Sequence, residues 1–270
     1  MMNKTKPFLK WAGGKFRCLE TILASLPPGN RLIEPFTGSG AIFVNSSYPD
    51  YLLAEGNQEL ISLFTILKQE GSTFIDFCAR YFSMQYNCAE QYYRLREQFN
   101  HSADPQEKAA LFLYLNRHGY NGLCRFNNNG RYNVPFGRYH KPYFPRTEMT
   151  FFHQKSQRAR FLHADFRDTF ALAVPGDVIY CDPPYVPLSA SANFSSYIDK
   201  RFNEEDQIEL ARLAMYWANK GITVIISNHD TDFTRYHYRH GEITSFPVKR
   251  LISCKSKQRR PVQELVAVFR

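Results

Sequence analysis

The run "DVIYCDPPYVPL", residues 177 to 188, ends a β-branched, apolar stretch in an acid, two prolines and a tyrosine. Adjacent prolines cannot extend a sheet ladder or enter a helix interior, so the chain turns stiffly here. The corner sets two acceptors side by side, the Asp182 carboxylate and the Pro183 carbonyl, and neither Pro183 nor Pro184 has an amide N–H to compete for them. An amino group on a flat ring offers two N–H donors of matching kind, and Tyr185 offers a face for the ring. Acceptors fixed in advance are what electrostatic catalysis requires. A plain strand terminator carrying an exposed acid is the bland alternative.

A second constellation, "EPFTGSG" (residues 34 to 40), follows an apolar run and opens a helix. Its glycines let the backbone turn tightly and approach a ligand at the helix N-terminus. Glu55 ends the next strand-like run, where nucleotide-type α/β folds place a ribose-binding acid. The Gly-x-Gly pair alone is weak, and the acid strengthens it. "WAGGKF" (residues 11 to 16) is no Walker loop, because the earlier glycine and the Ser or Thr after Lys15 are missing. An ATPase is therefore disfavoured, while Lys15 stays available to an anionic ligand group.

These residues need a scaffold. Strand-like runs occur at residues 31–36, 50–55, 159–165, 177–182 and 221–228, several of them continuously apolar as in a parallel sheet covered on both faces. "NQELISLFTILKQEG" has helical spacing and stops at Gly71; "NEEDQIELARLAMYWANKG" starts at an Asn203 cap with acids in its first turn and stops at Gly221. The alternation predicts a doubly wound, Rossmann-like α/β domain over 1–71 and 159–270. Residues 72–158 break that rhythm and are too long for a loop in a compact domain. They are expected to form an inserted helical subdomain ending in a basic, aromatic β-hairpin turned at "NNNG". "SFPVKRLIS" and "PVQELVAVF" are expected to pair at the sheet edge, with "CKSKQRR" as a cationic tip.

Lys and Arg number 34 against 25 Asp and Glu, a formal +9, which favours a polyanionic partner. Seventeen Tyr and 23 Phe suit stacking on bases as well as core packing. No stretch approaches the ~20 apolar residues of a membrane span, and "MMNKTKPFLKWAGGK" has no apolar signal core, so a cytoplasmic protein without membrane attachment is expected. The cysteines Cys18, Cys78, Cys88, Cys124, Cys181 and Cys254 form no C-x-x-C pair, and no metal site is expected.

At this point the chain resembles a family, the adenine-N6 DNA methyltransferases of the Dam type (D12 class, alpha group). The likeness runs through "PFLKWAGGK", "EPFTGSG", "LFLYLNRHGYNGLCRFNNNGRYNVPFGRYHKPYFP", "DPPYVPLSASANF" and "ISNHD". The four-residue corner alone leaves N4-cytosine and glutamine-amide methyltransferases open; the long middle block is the specific part. The resemblance implies a methyltransferase sheet with an inserted target-recognition subdomain, S-adenosyl-L-methionine as cofactor, double-stranded DNA as partner, GATC as target and a monomer in solution. It implies that Trp11, Lys15, Phe36, Gly38, Gly40, Glu55, Asp165 and Asp182 meet the cofactor, with Glu55 where relatives more often carry Asp. It makes Asp182, Pro183, Pro184 and Tyr185 the catalytic corner. Asp182 and the Pro183 carbonyl would then localise the lone pair of the adenine amino nitrogen for direct attack on the methyl group.

The target base must leave the duplex stack for that chemistry. Tyr120 and Asn121 are expected to brace the gap; the resemblance places Leu123, Arg125 and Pro135 where base edges are read, and Lys10 is a second candidate for a guanine contact. Arg125 is the natural bidentate reader of guanine, worth ~1–3 kcal/mol. Arg96, Arg117, Asn133 and Arg138 are expected on phosphates, which position without specifying. A DNA-binding module with a vestigial pocket is the rival from another class, and the intact corner and glycine loop speak against it.

Overall fold

The computed structural model describes residues 4–185, 202–248 and 262–270. The expected continuation of the corner into 186–194, the cationic tip and Cys254 lie outside the described residues. The strands are β1 (Arg31–Glu34), β2 (Asp50–Glu55), β3 (Ala159–His163), β4 (Asp177–Cys181), β5 (Thr223–His229), β6 (Glu242–Val248) and β7 (Val262–Phe269). The α-helices are α1 (Leu19–Ser25), α2 (Ala41–Asn45), α3 (Gln58–Glu70), α4 (Ser72–Ala79), α5 (Ala89–His101), α6 (Pro105–His118), α7 (Arg146–Ser156), α8 (Phe166–Phe170), α9 (Glu204–Ala218) and α10 (Asp232–His237).

Two compact units share these elements: Met1–Gly14, Thr37–Asn45 and Glu55–His163 form the first, and Lys15–Phe36, Ser46–Ala54 and Ala164–Arg270 the second. Among the described residues the sheet has seven strands, six of which lie in the second unit in the order β2-β1-β4-β5-β7-β6. β1, β2, β4 and β5 run parallel, and β7 is antiparallel to both β5 and β6. This is the doubly wound α/β arrangement that the alternating elements predict. β4 lies on the other side of β1 from β2, so the connections leaving β1 and β4 diverge at their carboxyl ends, where ligands bind in open α/β sheets.

β4 is buried at every position, as its continuous apolar run requires. Its register against β1 is held at the amino end, where Arg31 donates to Asp177 at 2.6 and 3.1 Å. β1 stops at Glu34 because Pro35 has no ladder donor. Asn203 caps α9 in a reciprocal capping box with Asp206, as the acids after it predict.

The first unit is built on α6, which starts at an Asp104 cap with Pro105 behind it and is buried from Ala109 to His118. Phe8, Phe43, Phe64 and Phe152 pack at centroid distances of 4.7 to 5.8 Å and seat the N-terminal segment. After α6 the chain turns at "NNNG", where Gly130 adopts φ 70° and the Arg131 carbonyl accepts from the Asn127 amide. The hairpin is held by isolated bridges, Gly119 with Phe136 and Phe126 with Tyr132, instead of continuous strands. Among the described residues no helix is long and apolar enough to cross a membrane, and no cluster of His, Cys, Asp and Glu could hold a metal ion.

Candidate active site

The acceptor corner belongs to the second unit. Asp182 leaves the end of β4, and its Oδ1 accepts from the Ser227 hydroxyl at 3.1 Å. Lys15 places its ammonium 2.8 Å from the same oxygen, with side-chain exposures of 6% for Lys15 and 20% for Asp182. Burial pushes the Asp182 carboxyl above its ordinary range; the Lys15 charge and hydrogen bonds from Lys15, Ser227 and Tyr185 oppose that shift without cancelling it. The Lys15 ammonium also lies 4.3 Å from the centroid of the Tyr185 ring. Tyr185 meets His229 edge-on at 4.5 Å, and its hydroxyl donates to Glu264 at 3.2 Å.

Behind the corner, the Gln207 amide donates to the Pro184 carbonyl at 2.6 Å. Gln207 in turn accepts from Asn228 at 3.1 Å and from the Tyr238 hydroxyl at 3.2 Å. All three residues are buried, so a closed polar network holds the second proline in place. Phe36, at the β1 exit, stacks on Phe166 at 5.5 Å and meets Phe202 edge-on at 5.4 Å. Asp165 caps α8 through the Arg167 amide and pairs with the Arg167 guanidinium at 3.1 Å, which also bonds Asp206.

The glycine loop belongs to the first unit. Gly38 has φ 50°, and a Cβ there would stand 3.1 Å from the Trp11 indole, so a side chain at this position would press on that ring. The Gly38 amide donates to Glu55 Oε2 at 3.0 Å, and the Asn57 amide donates to Oε1 at 3.3 Å. Glu55 thus has both oxygens oriented by backbone donors. Asn57 also caps α3 and donates to the Cys124 sulfur at 3.4 Å.

The middle block, in the same unit, presents Tyr120, Asn121, Arg125, Pro135 and Arg138 as exposed and leaves Leu123 half-buried. Asn121 and Arg138 both adopt φ 53°, a conformation that commits them to tight turns. Arg125 donates to the Asn133 side chain at 2.7 Å and to its carbonyl at 3.3 Å, so Asn133 braces Arg125. Lys10 packs under Gly122, where a Cβ would come within 2.3 Å of its own Cβ. Its ammonium sits 3.9 Å from the Tyr139 ring centroid. Burial and the nearby Arg117 charge hold the Lys10 amine down to about 8. Arg96 is half-buried and donates to the Val134 carbonyl.

Arg117, expected on a phosphate, is among the buried residues. It is 9% exposed, and its guanidinium donates to the Tyr143 and Phe8 carbonyls. It braces the N-terminal segment from inside, because α6 turns it toward the core.

Ser227, Gln207, Asn228, His229, Tyr238 and Glu264 surround the corner; Ser227, Asn228 and His229 lie in the motif "ISNHD", whereas Gln207, Tyr238 and Glu264 were not singled out in the sequence. The period-2 geometry of β5 puts Ser227 and His229 on one face. Glu264 had no such local signal, since it faces His229 only through the antiparallel register of β7.

The profile of the family described as D12 class N6 adenine-specific DNA methyltransferase matches residues 11–252. The DNA adenine methylase of Escherichia coli strain K12 is 47% identical over 269 residues, covering 100% of this chain and 97% of that protein. The DNA adenine methylase of Serratia marcescens is 47% identical over 270 residues, covering 100% of both. That of Vibrio cholerae O395 is 47% identical, covering 99% of this chain and 97% of that protein. A half-buried acid, two prolines and a tyrosine at a strand end, together with likeness along the whole chain, place the protein in one family: it belongs to the D12 class of N6 adenine-specific DNA methyltransferases.

Proposed function

We propose that the protein methylates the adenine N6 of GATC in duplex DNA, using S-adenosyl-L-methionine, after turning the base out of the stack. The observation that carries this reading is the Asp182 carboxylate, half-buried at the end of β4 and held by Ser227 and Lys15. An aromatic amine is a poor nucleophile because its lone pair is delocalised into the ring. An N–H bonded to a carboxylate favours a pyramidal nitrogen with a freer lone pair. The Lys15 ammonium is itself an N–H donor on Asp182, so an incoming amino group takes its place on an acceptor already oriented. Gln207 keeps the proline corner from yielding as this happens.

S-adenosyl-L-methionine, when bound, supplies a methyl group on a positively charged sulfur. The residues fit it. Each Glu55 oxygen accepts from a backbone amide, which fixes the carboxylate that would meet a ribose hydroxyl, and the close approach of Gly38 to Trp11 leaves backbone where a side chain would obstruct. Phe36 and Asp165 complete the proposed cofactor set, with Trp11, Lys15, Gly38, Gly40 and Asp182. The protein's contribution is positioning, which can supply ~7–11 kcal/mol.

For recognition, Arg125 braced by Asn133 is the proposed guanine reader, with Lys10, Leu123 and Pro135 at neighbouring base edges. Exposed Tyr120 and Asn121 fill the gap left by the flipped base, and Arg96 and Arg138 meet phosphates. The test is transfer of labelled methyl to duplexes containing GATC, GTTC or no such site, with Asp182→Ala alongside. N6-methyladenine at GATC, lost in the variant, is expected. Transfer confined to another sequence overturns the target assignment, and transfer that survives Asp182→Ala overturns the acceptor role.

A further inference from the structure

Asn116 lies on α6 with 1% of its surface exposed, and its carboxamide grips the main chain of Lys10. The side-chain oxygen accepts from the Lys10 amide at 2.9 Å, and the side-chain nitrogen donates to the Lys10 carbonyl at 2.7 Å. The same nitrogen reaches the Gly122 carbonyl at 3.4 Å. A main-chain N–H only donates and a carbonyl only accepts, so a single orientation of the amide serves all three. The side chain thus imitates a neighbouring strand for one residue, 106 positions away in sequence.

What it grips is a proposed base reader. The Lys10 side chain packs on Gly122, where a Cβ would come within 2.3 Å of the Lys10 Cβ. Its ammonium donates to the Arg117 carbonyl at 3.3 Å and lies 3.9 Å from the Tyr139 ring centroid. The Tyr139 hydroxyl accepts from the Asn121 amide at 3.0 Å. Lys10, Tyr139, Asn121 and Gly122 therefore form a closed ring of contacts, and Asn116 is the buried tie across it. Lysine is a point charge on a flexible four-carbon stem, so its reach is defined only when the base of the stem is held.

We propose that Asn116 is a positioning residue for sequence reading: it fixes the Lys10 main chain to the Gly122 turn and so sets where the Lys10 ammonium meets a base edge. The inference rests on the reading of Lys10 as a base contact given above. Asn116 is buried and acts on sequence reading through Lys10. Loss of its grip therefore costs discrimination at the one base pair that Lys10 reads, whereas a role in folding alone would lower transfer on every duplex alike.

Methyl transfer by the full chain tests this, on a GATC duplex and on duplexes with each base pair of the site substituted in turn. Discrimination is the ratio of kcat/KM between the two. The proteins are wild type, Asn116→Ala, Asn116→Asp, Lys10→Ala and the two combinations, with thermal melts on each. Lys10→Ala is expected to mark the base pair it reads by a loss of discrimination of roughly 10-fold there. Asn116→Ala is expected to lose roughly 5-fold at that same base pair, with the other positions within about 2-fold of wild type. Asn116→Asp keeps an acceptor for the Lys10 amide but lacks both donors, and is expected to lose roughly 3-fold there. In the Lys10→Ala background, neither change at Asn116 is expected to alter discrimination by more than about 2-fold. If Asn116→Ala melts too low to assay, Asn116→Asp, of the same shape, carries the cycle. Where Lys10→Ala loses discrimination at one base pair, three results overturn the role of Asn116 alone: discrimination kept in its variants, lost at every position alike, or lost equally in both backgrounds. Full discrimination in Lys10→Ala overturns the base-reading role of Lys10 and this inference with it.

Discussion

The Lys15 ammonium and the Asp182 carboxylate stand 2.8 Å apart, both largely withdrawn from water, and burial outweighs the ion pair in setting the acid's proton affinity. Asp182 works as an acceptor only when ionised, so activity is present above its pKa and falls as pH drops through it. The acid limb of the kcat profile is therefore expected above the ordinary carboxylate value of ~3.9. Lys15→Met removes the charge that opposes burial and should move that limb higher still. An unmoved limb would sink the assignment. Stability runs the opposite way: with the folded pKa raised, the contribution of this group is present below the ordinary value and is lost as pH rises through the raised one.

Glu55 is held by two backbone amides, so its charge and reach are both set for a ligand. Glu55→Gln is expected to weaken S-adenosyl-L-methionine binding by ~10- to 100-fold, the range for a hydrogen bond to a charged group. Gly38→Ala should lose affinity similarly, since its φ of 50° disfavours a Cβ and Trp11 stands in its way. Titration calorimetry with the full chain measures both, and wild-type affinity in Glu55→Gln refutes the ribose role.

Arg117 and Arg138 separate a brace from a phosphate contact. Arg138→Ala should reduce the slope of log K against log salt by about 1, with little effect on melting. Arg117→Ala should leave the slope alone and destabilise the fold by ~1–3 kcal/mol, because two backbone carbonyls lose a buried charged donor. A salt-slope change in Arg117→Ala would return it to the phosphates.

Lys10 carries its charge at pH 7 and loses it as pH rises through about 8. Discrimination at the base pair it reads should therefore fall between pH 7 and pH 9 in wild type. Lys10→Arg, charged throughout, should show no such fall. Competition binding with duplexes substituted at each position of the site gives the answer, and a pH-independent wild type would remove Lys10 from recognition.

The framework was legible because its signals are local. The run 50–55 became β2 residue for residue, and α9 began after Asn203 as its acids require. Boundaries moved where a neighbour intervened: β3 ends at His163, since Asp165 caps α8. What escaped was tertiary. Gln207 bonds a carbonyl 23 positions away, and Arg117 shows its burial only once α6 has a direction. A basic residue in sequence has no partner, so Arg117 and Arg138 looked alike.

β7 runs antiparallel between β5 and β6 although it is the last of the three to be made. Until it is synthesised, β5 and β6 each carry an unpaired edge, the template on which chains add to one another. Closing those edges requires contacts far apart along the chain, which form slowly. The acceptor corner also gains Glu264 only at that moment. The strand that pairs β5 with β6 is thus also the one that brings Glu264 to the acceptor corner.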